Sequence, residues 1–223
     1  MLFWLTISLS LLCILRTEKS RQLNRWDILF LTSSWQVFNL GIWTRYLEPA
    51  VSDPYRTASI VCILLTALYM MRRGIGISLE ISGEAIKEWL TWTIILVGTL
   101  VPIGVCIGFL RWNLRLQSDF LKTTLIDYFL FVAVVEELVF RGFIFNLLKR
   151  SWNGIFALLV TTVLFATIFS HIAGGGSFPN WPYVGMAFLA GSAYGISYHR
   201  TGNILIPILI HGTVDSAWRI FFS

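Results

Sequence analysis

Eight long stretches of this 223-residue chain are predominantly apolar: 1–15, 26–44, 58–71, 89–110, 125–148, 152–172, 183–198 and 203–222. A helix needs about 20 mostly apolar residues to cross a hydrocarbon layer about 30 Å thick, because it rises about 1.5 Å per residue. The first and third runs are shorter and fit only by tilting, by extending into their flanks or by lying partly in the interface. Composition agrees, with 56% hydrophobic and 13% charged residues, the latter about half the usual quarter. So little polar surface cannot cover a fold in water, which argues against a disordered chain, a secreted disulfide scaffold and an ordinary cytosolic enzyme. The expectation is an all-α fold: a polytopic membrane helix bundle of about eight transmembrane helices, six at the least. The chain would be a multi-pass integral protein of the cell membrane, with the lipid bilayer as its first partner.

The net charge of +5 comes from 17 Lys and Arg that sit in short clusters between apolar runs. That pattern fits loops beside anionic headgroups and not a groove tracking phosphates, so no nucleic-acid partner is expected. Odd-numbered loops hold Arg16, Lys19, Arg21, Arg25, Arg72, Arg73, Lys87, Lys149, Arg150 and Arg200, and even ones hold Arg45, Arg56, Arg111, Arg115 and Lys122. If all eight runs span, this bias places both termini outside the cytoplasm. The first run has no basic residue ahead of it and no small-x-small site behind it, and so reads as a retained anchor and not as a signal peptide. Trp26, Trp43, Trp89, Trp112, Trp152 and Trp181 near run ends fit interfacial belts. Cys13, Cys62 and Cys106 lie in separate runs without zinc or redox spacing and read as small core residues. The connection 173–182 carries Gly174, Gly175, Gly176 and two prolines without a charge. It reads either as a flexible turn or as a re-entrant or gating segment beside a site.

With charge so scarce, each ionisable group inside an apolar run is informative, since one at a helix centre costs about 2.5–3.5 kcal/mol and therefore pairs, faces the bundle interior or works. Glu136 and Glu137 cannot aim at the same point of a helix. Glu137 and Arg141 stand four apart on one face with the acid first, the favourable order for an ion pair. This spacing predicts that Glu137 is neutralised by Arg141 and that Glu136 is left to face a polar centre supplied by other helices, where desolvation makes a carboxylate a better base. The competing reading is a purely structural ion network. His171 ends the sixth run; alone, such a histidine is more often held by a backbone carbonyl than catalytic. His211 and Asp215 share a face of the eighth run, with Arg219 four further on, so that the aspartate holds an imidazole nitrogen or both ligate a metal. His199-Arg200-Thr201-Gly202 reads as a solvated turn outside the site. Two of three histidines, a twin glutamate and an aspartate in three consecutive apolar runs are better explained by one shared polar site than by separate structural roles.

Glu136-Glu137-Leu138-Val139-Phe140-Arg141 has the EExxxR form and resembles the CAAX-protease and bacteriocin-processing family of intramembrane glutamic-type endopeptidases, the Abi or Rce1-like family. His171 falls where that family's second-motif histidine is expected, and His211 to Asp215 where its HxxxN or HxxxD motif closes the core. The stretch 191–207, with Tyr198-His199-Arg200-Thr201-Gly202-Asn203, is similar to the family's approach to that motif. The resemblance covers roughly residues 125–219. Thr167 stands where the family usually has phenylalanine, with Phe165 and Phe169 on either side instead, and Asp215 where it often has asparagine; an ionised aspartate accepts hydrogen bonds but cannot donate to an oxyanion.

The apolar runs give N-terminal transmembrane helices over 1–124, on which the resemblance says little, and the resemblance implies a four-helix catalytic core over 125–223, the two in one continuous membrane domain. It implies hydrolysis of a peptide bond within the membrane without a covalent intermediate, on a membrane-anchored or lipid-modified protein or peptide substrate. Glu136 with His171 would activate water, His211 and Asp215 would stabilise the tetrahedral intermediate, and Glu137 with Arg141 would support the site. No metal and no cofactor is implied, the absence of an HExxH helix weighing against a zinc-dependent version. Two readings compete: a non-catalytic binding or bacteriocin-immunity protein of the same fold, and a small transporter using these groups as a proton relay, which the lack of internal repeats disfavours.

Overall fold

The computed structural model describes residues 2–19, 23–47, 54–173 and 178–222. Helices α1 (Leu2–Arg16), α2 (Arg25–Leu47) and α3 (Pro54–Arg73) pack on one another. A buried ion pair fastens them: Arg73 Nε lies 2.8 Å from Asp27 Oδ1, Arg73 Nη2 donates to Asp27 Oδ2 at 2.9 Å, and the Tyr69 hydroxyl donates to Oδ1 at 2.8 Å. Arg73 Nη1 also donates to the Glu18 carbonyl at 2.8 Å. A buried charge is tolerated only with this density of partners. Arg73, read from sequence as a loop cation beside headgroups, is thus an interior residue.

Helix α4 (Gly83–Cys106) is capped by Ser82, whose hydroxyl accepts from the Ala85 N–H, and satisfies one of the first-turn donors that every helix leaves open. From residue 118 to 151 the backbone stays helical through five stretches: α5 (Ser118–Ile126), a π-helical stretch Asp127–Ala133, α6 (Val134–Glu137), a second π-helical stretch Leu138–Phe145, and α7 (Asn146–Ser151). Wide π turns recur at functional sites, and here they bracket Glu136 and Glu137. Helix α8 (Gly154–Ala166) is capped by Asn153, and the short α9 (Phe169–Ile172) carries His171. Helix α10 (Trp181–Thr201) starts under an Asn180 cap and stops at Gly202, whose φ of 67° is the left-handed conformation that glycine adopts without strain. Helix α11 (Leu205–Phe221) closes the chain.

Helix α10 lies against α8, α4 and α11, while α11 also packs on α4 and on the stretch Asp127–Ala133. Two straps hold α11 at its ends. Ile204 N donates to the Ser78 carbonyl at 2.9 Å and Asn113 N to the Phe221 carbonyl at 2.9 Å. The Tyr55 hydroxyl donates to the Phe131 carbonyl and Arg56 pairs with Asp127 at 2.9 Å, so α3 is fastened to the glutamate-bearing helix.

The fold is all-α, but the expected bundle of six to eight transmembrane helices is overturned. Among the described residues one helix, Gly83–Cys106, is long and apolar enough to cross a membrane; Leu2–Arg16 and Gly154–Ala166 are apolar but shorter. The apolar runs and the helices do not coincide. The run 152–172 breaks after Ala166, where Thr167 leaves helical geometry. The helix of the run 58–71 takes in Arg56, Arg72 and Arg73, and that of 125–148 takes in Asp119, Lys122 and Asp127 besides the glutamates. The orientation argument built on eight crossings falls with them. Two smaller expectations also change: Cys106 is exposed while Cys13 and Cys62 are buried, and His199 lies within α10, its ring against Phe145, with only Gly202 forming the turn.

Candidate active site

Arg141 and Glu137 are almost wholly buried, and Arg141 Nη1 donates to Glu137 Oε1 at 3.0 Å. Arg141 Nη2 donates to the Gly191 carbonyl of α10 at 2.7 Å, and its guanidinium lies 4.6 Å from the centre of the Phe165 ring. Glu137 Oε1 accepts a second bond, from His211 Nδ1 of α11 at 2.9 Å. One carboxylate oxygen thus joins the glutamate helix to α11, and the arginine that neutralises it joins both to α10. Gly191 is required by this closeness: a β-carbon there would lie 2.7 Å from Phe165 and 3.3 Å from Arg141 Nη2. Gly191→Ala is therefore expected to destabilise the fold by about 1–3 kcal/mol, read as a lowered melting midpoint in detergent; an unchanged midpoint would show that Phe165 gives way freely.

Glu136, on the adjacent helical position, has a different environment. It is buried and receives no hydrogen bond among the described residues; its Oε2 is without a partner and lies 3.9 Å from His211 Nε2. Asp215 Oδ2 lies 3.4 Å from the same nitrogen. His211 therefore has carboxylates on both edges, Glu137 on Nδ1 and Glu136 with Asp215 on Nε2, a setting that favours both ring nitrogens as donors. Spacing within α11 had offered Asp215 as the residue that holds the imidazole, but the closer partner comes from 74 positions earlier in the chain.

His171 is buried, and its Nδ1 donates to the Phe165 carbonyl at 2.9 Å. In the neutral imidazole this leaves the Nε2 lone pair available. Its ring packs on Phe165 and on Tyr183, at centroid distances of 5.1 and 4.9 Å. Phe165 touches His211 edge-on and Tyr194 stacks on His211 at 4.7 Å. Tyr194 is not singled out by the sequence, and Phe165 stands out there only as a phenylalanine beside position 167. Phenylalanine is missing from position 167, where Thr167 is exposed and bonds to its own helix, and Phe165 supplies the aromatic contact to the histidine from one half-turn earlier.

His171, His211, Tyr194 and Asp215 line a cavity of about 370 Å³ whose remaining wall is apolar, with Leu96, Leu100 and Met186 among its residues. Glu136 and Glu137 are not among the residues that line it and reach it only through His211, which both approach. The structure thus gathers His211, Asp215, Glu136, Glu137 and Arg141 in one connected cluster and sets His171 on the wall of the same cavity. Gly174, Gly175 and Gly176, expected as a turn or a gating segment, lie outside the described residues. Among the described residues no group of three or more His, Cys, Asp or Glu side chains is arranged to hold a metal ion.

Residues 119–217 match the family model described as Type II CAAX prenyl endopeptidase Rce1-like, so the resemblance carried by the EExxxR motif is a family match over that segment, just under half of the chain. The match gives this part of the chain a peptidase-like fold. An Escherichia coli protein described as an uncharacterized 24.3 kDa protein is 24% identical over 178 residues, covering 73% of this chain and 77% of that one. No solved structure matches the chain.

Proposed function

We propose that the protein is an endopeptidase that hydrolyses a peptide bond of a membrane-anchored or lipid-modified protein. Glu136 and His171 activate water, and His211 with Asp215 stabilises the tetrahedral intermediate. The observation that carries this reading is the asymmetry of the twin glutamates. Glu137 Oε1 accepts from Arg141 and His211, while Glu136 accepts no hydrogen bond among the described residues and its buried Oε2 is without a partner, a state that costs stability and so calls for a function. Water attacks the scissile carbonyl carbon as Glu136 takes its proton, with the free Nε2 of His171 as second acceptor. The proton then passes to the amide nitrogen as the carbon–nitrogen bond breaks. His211, held on Nδ1 by Glu137, offers Nε2–H to the developing oxyanion, which is the larger share of stabilisation in acyl-transfer sites. The family match over residues 119–217 supports the peptidase class.

Lipid contact is part of the same reading. Helix α4 is the candidate span, and large apolar side chains are exposed on it and on other helices: Leu15 on α1, Met71 on α3, Ile94 on α4 and Ile155 on α8 are each more than 70% exposed. Water-soluble monomers rarely present so much apolar surface, and lipid covers it here.

The test uses the full chain reconstituted in liposomes with a membrane-protein fraction, new termini being identified by mass spectrometry. Wild type is expected to generate new termini beside apolar segments, and His171→Ala to lower their rate of appearance by about 100-fold or more, with its melting midpoint retained. Equal cleavage by His171→Ala would remove that residue from the mechanism, and no cleavage by wild type would favour a binding protein of the same fold.

A further inference from the structure

Among the described residues four tyrosines are buried, and three of them have a partner for the hydroxyl. Tyr55 donates to the Phe131 carbonyl, Tyr69 donates to Asp27 Oδ1, and Tyr198 accepts from Asn146 Nδ2 at 2.6 Å. A buried phenol ordinarily finds such a partner. Tyr194, 1% exposed, is the exception: its hydroxyl makes no hydrogen bond among the described residues and is not sealed in by protein. It belongs to the wall of the apolar cavity, with His171, His211 and Asp215.

The ring that carries this hydroxyl is held firmly. It stacks on His211 with 17° between the planes, Phe165 meets it edge-on at 6.1 Å, and the Arg141 guanidinium lies 5.6 Å from its centre. Arg141 also donates to the Gly191 carbonyl, one turn earlier in α10, so a single residue sets both the register of the helix and the seat of the ring. A cation over a phenol draws on its electrons and strengthens the O–H as a donor. A donor fixed beforehand costs no reorganisation when charge develops beside it.

Resting on the reading of the site as a peptidase, we infer that the Tyr194 hydroxyl is the second donor to the oxyanion, the part that a carboxylate at position 215 cannot play. Asp215 Oδ2 lies 3.4 Å from His211 Nε2, and an ionised carboxylate only accepts hydrogen bonds. His211 and Asp215 together therefore offer the oxyanion one N–H. The negative charge of Asp215 also opposes a second negative charge beside it, so a further donor is worth more here than beside an amide. As the water oxygen bonds to the carbonyl carbon, the carbonyl oxygen gains charge and accepts from Tyr194, which keeps its proton throughout. When the carbon–nitrogen bond breaks and the carbonyl re-forms, that hydrogen bond weakens again.

The test uses the full chain in liposomes with the membrane-protein fraction, new termini being followed by mass spectrometry. Tyr194→Phe keeps the ring and deletes only an oxygen that no protein group touches. It is expected to slow cleavage by about 10²–10³-fold with the melting midpoint retained. Tyr194→3-fluorotyrosine keeps a hydroxyl and strengthens it as a donor, and is expected to stay close to wild type. Asp215→Asn installs an amide donor, and in that background the cost of Tyr194→Phe is expected to shrink to about tenfold or less. Wild-type cleavage by Tyr194→Phe would overturn the assignment, as would a midpoint that falls with the rate or a fluorotyrosine form as slow as the phenylalanine one. A loss in Tyr183→Phe without one in Tyr194→Phe would overturn it too, by moving the donor to the other unpartnered phenol of the wall. Each of these results leaves the peptidase reading intact, whereas no cleavage by wild type would count against that reading itself.

Discussion

Glu136→Gln is expected to abolish peptide-bond cleavage, lowering kcat/KM by about 10²–10⁴-fold, while the protein folds and melts as the wild type does or slightly higher. The two halves of that expectation have one cause. Glu136 Oε2 is buried without a hydrogen-bond donor and lies 3.9 Å from the nearest ring nitrogen, that of His211, so its charge is a burden on the fold and exchange for an isosteric amide relieves it. The same exchange removes a carboxylate that accepts no hydrogen bond among the described residues and so can take a proton from water. Measured on reconstituted protein with thermal melting alongside, retained cleavage would eliminate Glu136 as the base, and a strongly lowered midpoint would make it a structural residue.

Arg141→Met is expected to act in the opposite way, destabilising the fold by about 3–5 kcal/mol because it removes one partner of a buried ion pair and leaves the Glu137 carboxylate with only its bond from His211 among the described residues. Arg141 also gives up its bond to the Gly191 carbonyl and its place over Phe165, so three helices lose a shared fastening. Folded yield after extraction is the measure. A stable Arg141→Met protein that is merely inactive would show that the arginine serves chemistry. The double substitution Glu137→Gln with Arg141→Met is expected to recover part of the loss, since removing both charges of a buried pair costs less than removing one. Glu136→Gln and Arg141→Met thus separate neighbouring residues of one motif by their readouts.

What the sequence reveals here depends on how far apart the interacting residues are. Glu137 and Arg141 are four apart on one helix, so their proximity follows from helix geometry, and Arg141 Nη1 does lie 3.0 Å from Glu137 Oε1. The bond from His211 to Glu137 closes a loop of 74 residues, and no local pattern encodes it. The pair Asp27–Arg73 is hidden for the same reason: each residue sits at the edge of an apolar run and looks like a flanking charge. Helix count misled because hydropathy registers composition and not backbone. The run 152–172 is apolar across the break at Thr167, and the runs 58–71 and 125–148 belong to helices that extend into charged flanks. The two π-helical stretches around Glu136 are equally silent: Asp127–Ala133 has neither glycine nor proline, and in Leu138–Phe145 Gly142 is the single such residue.

The single oxygen of Glu137 that serves both Arg141 and His211 sets the order in which descendants of such a chain can decay. If the proposed cleavage is lost, Glu136 can be discarded at once, because no hydrogen bond among the described residues depends on it. Glu137, Arg141 and the imidazole between them cannot be shed without loosening three helices together. Silent members of this lineage should therefore still carry the second glutamate, the arginine and the last histidine, and a protein that retains them declares its ancestry without declaring its trade.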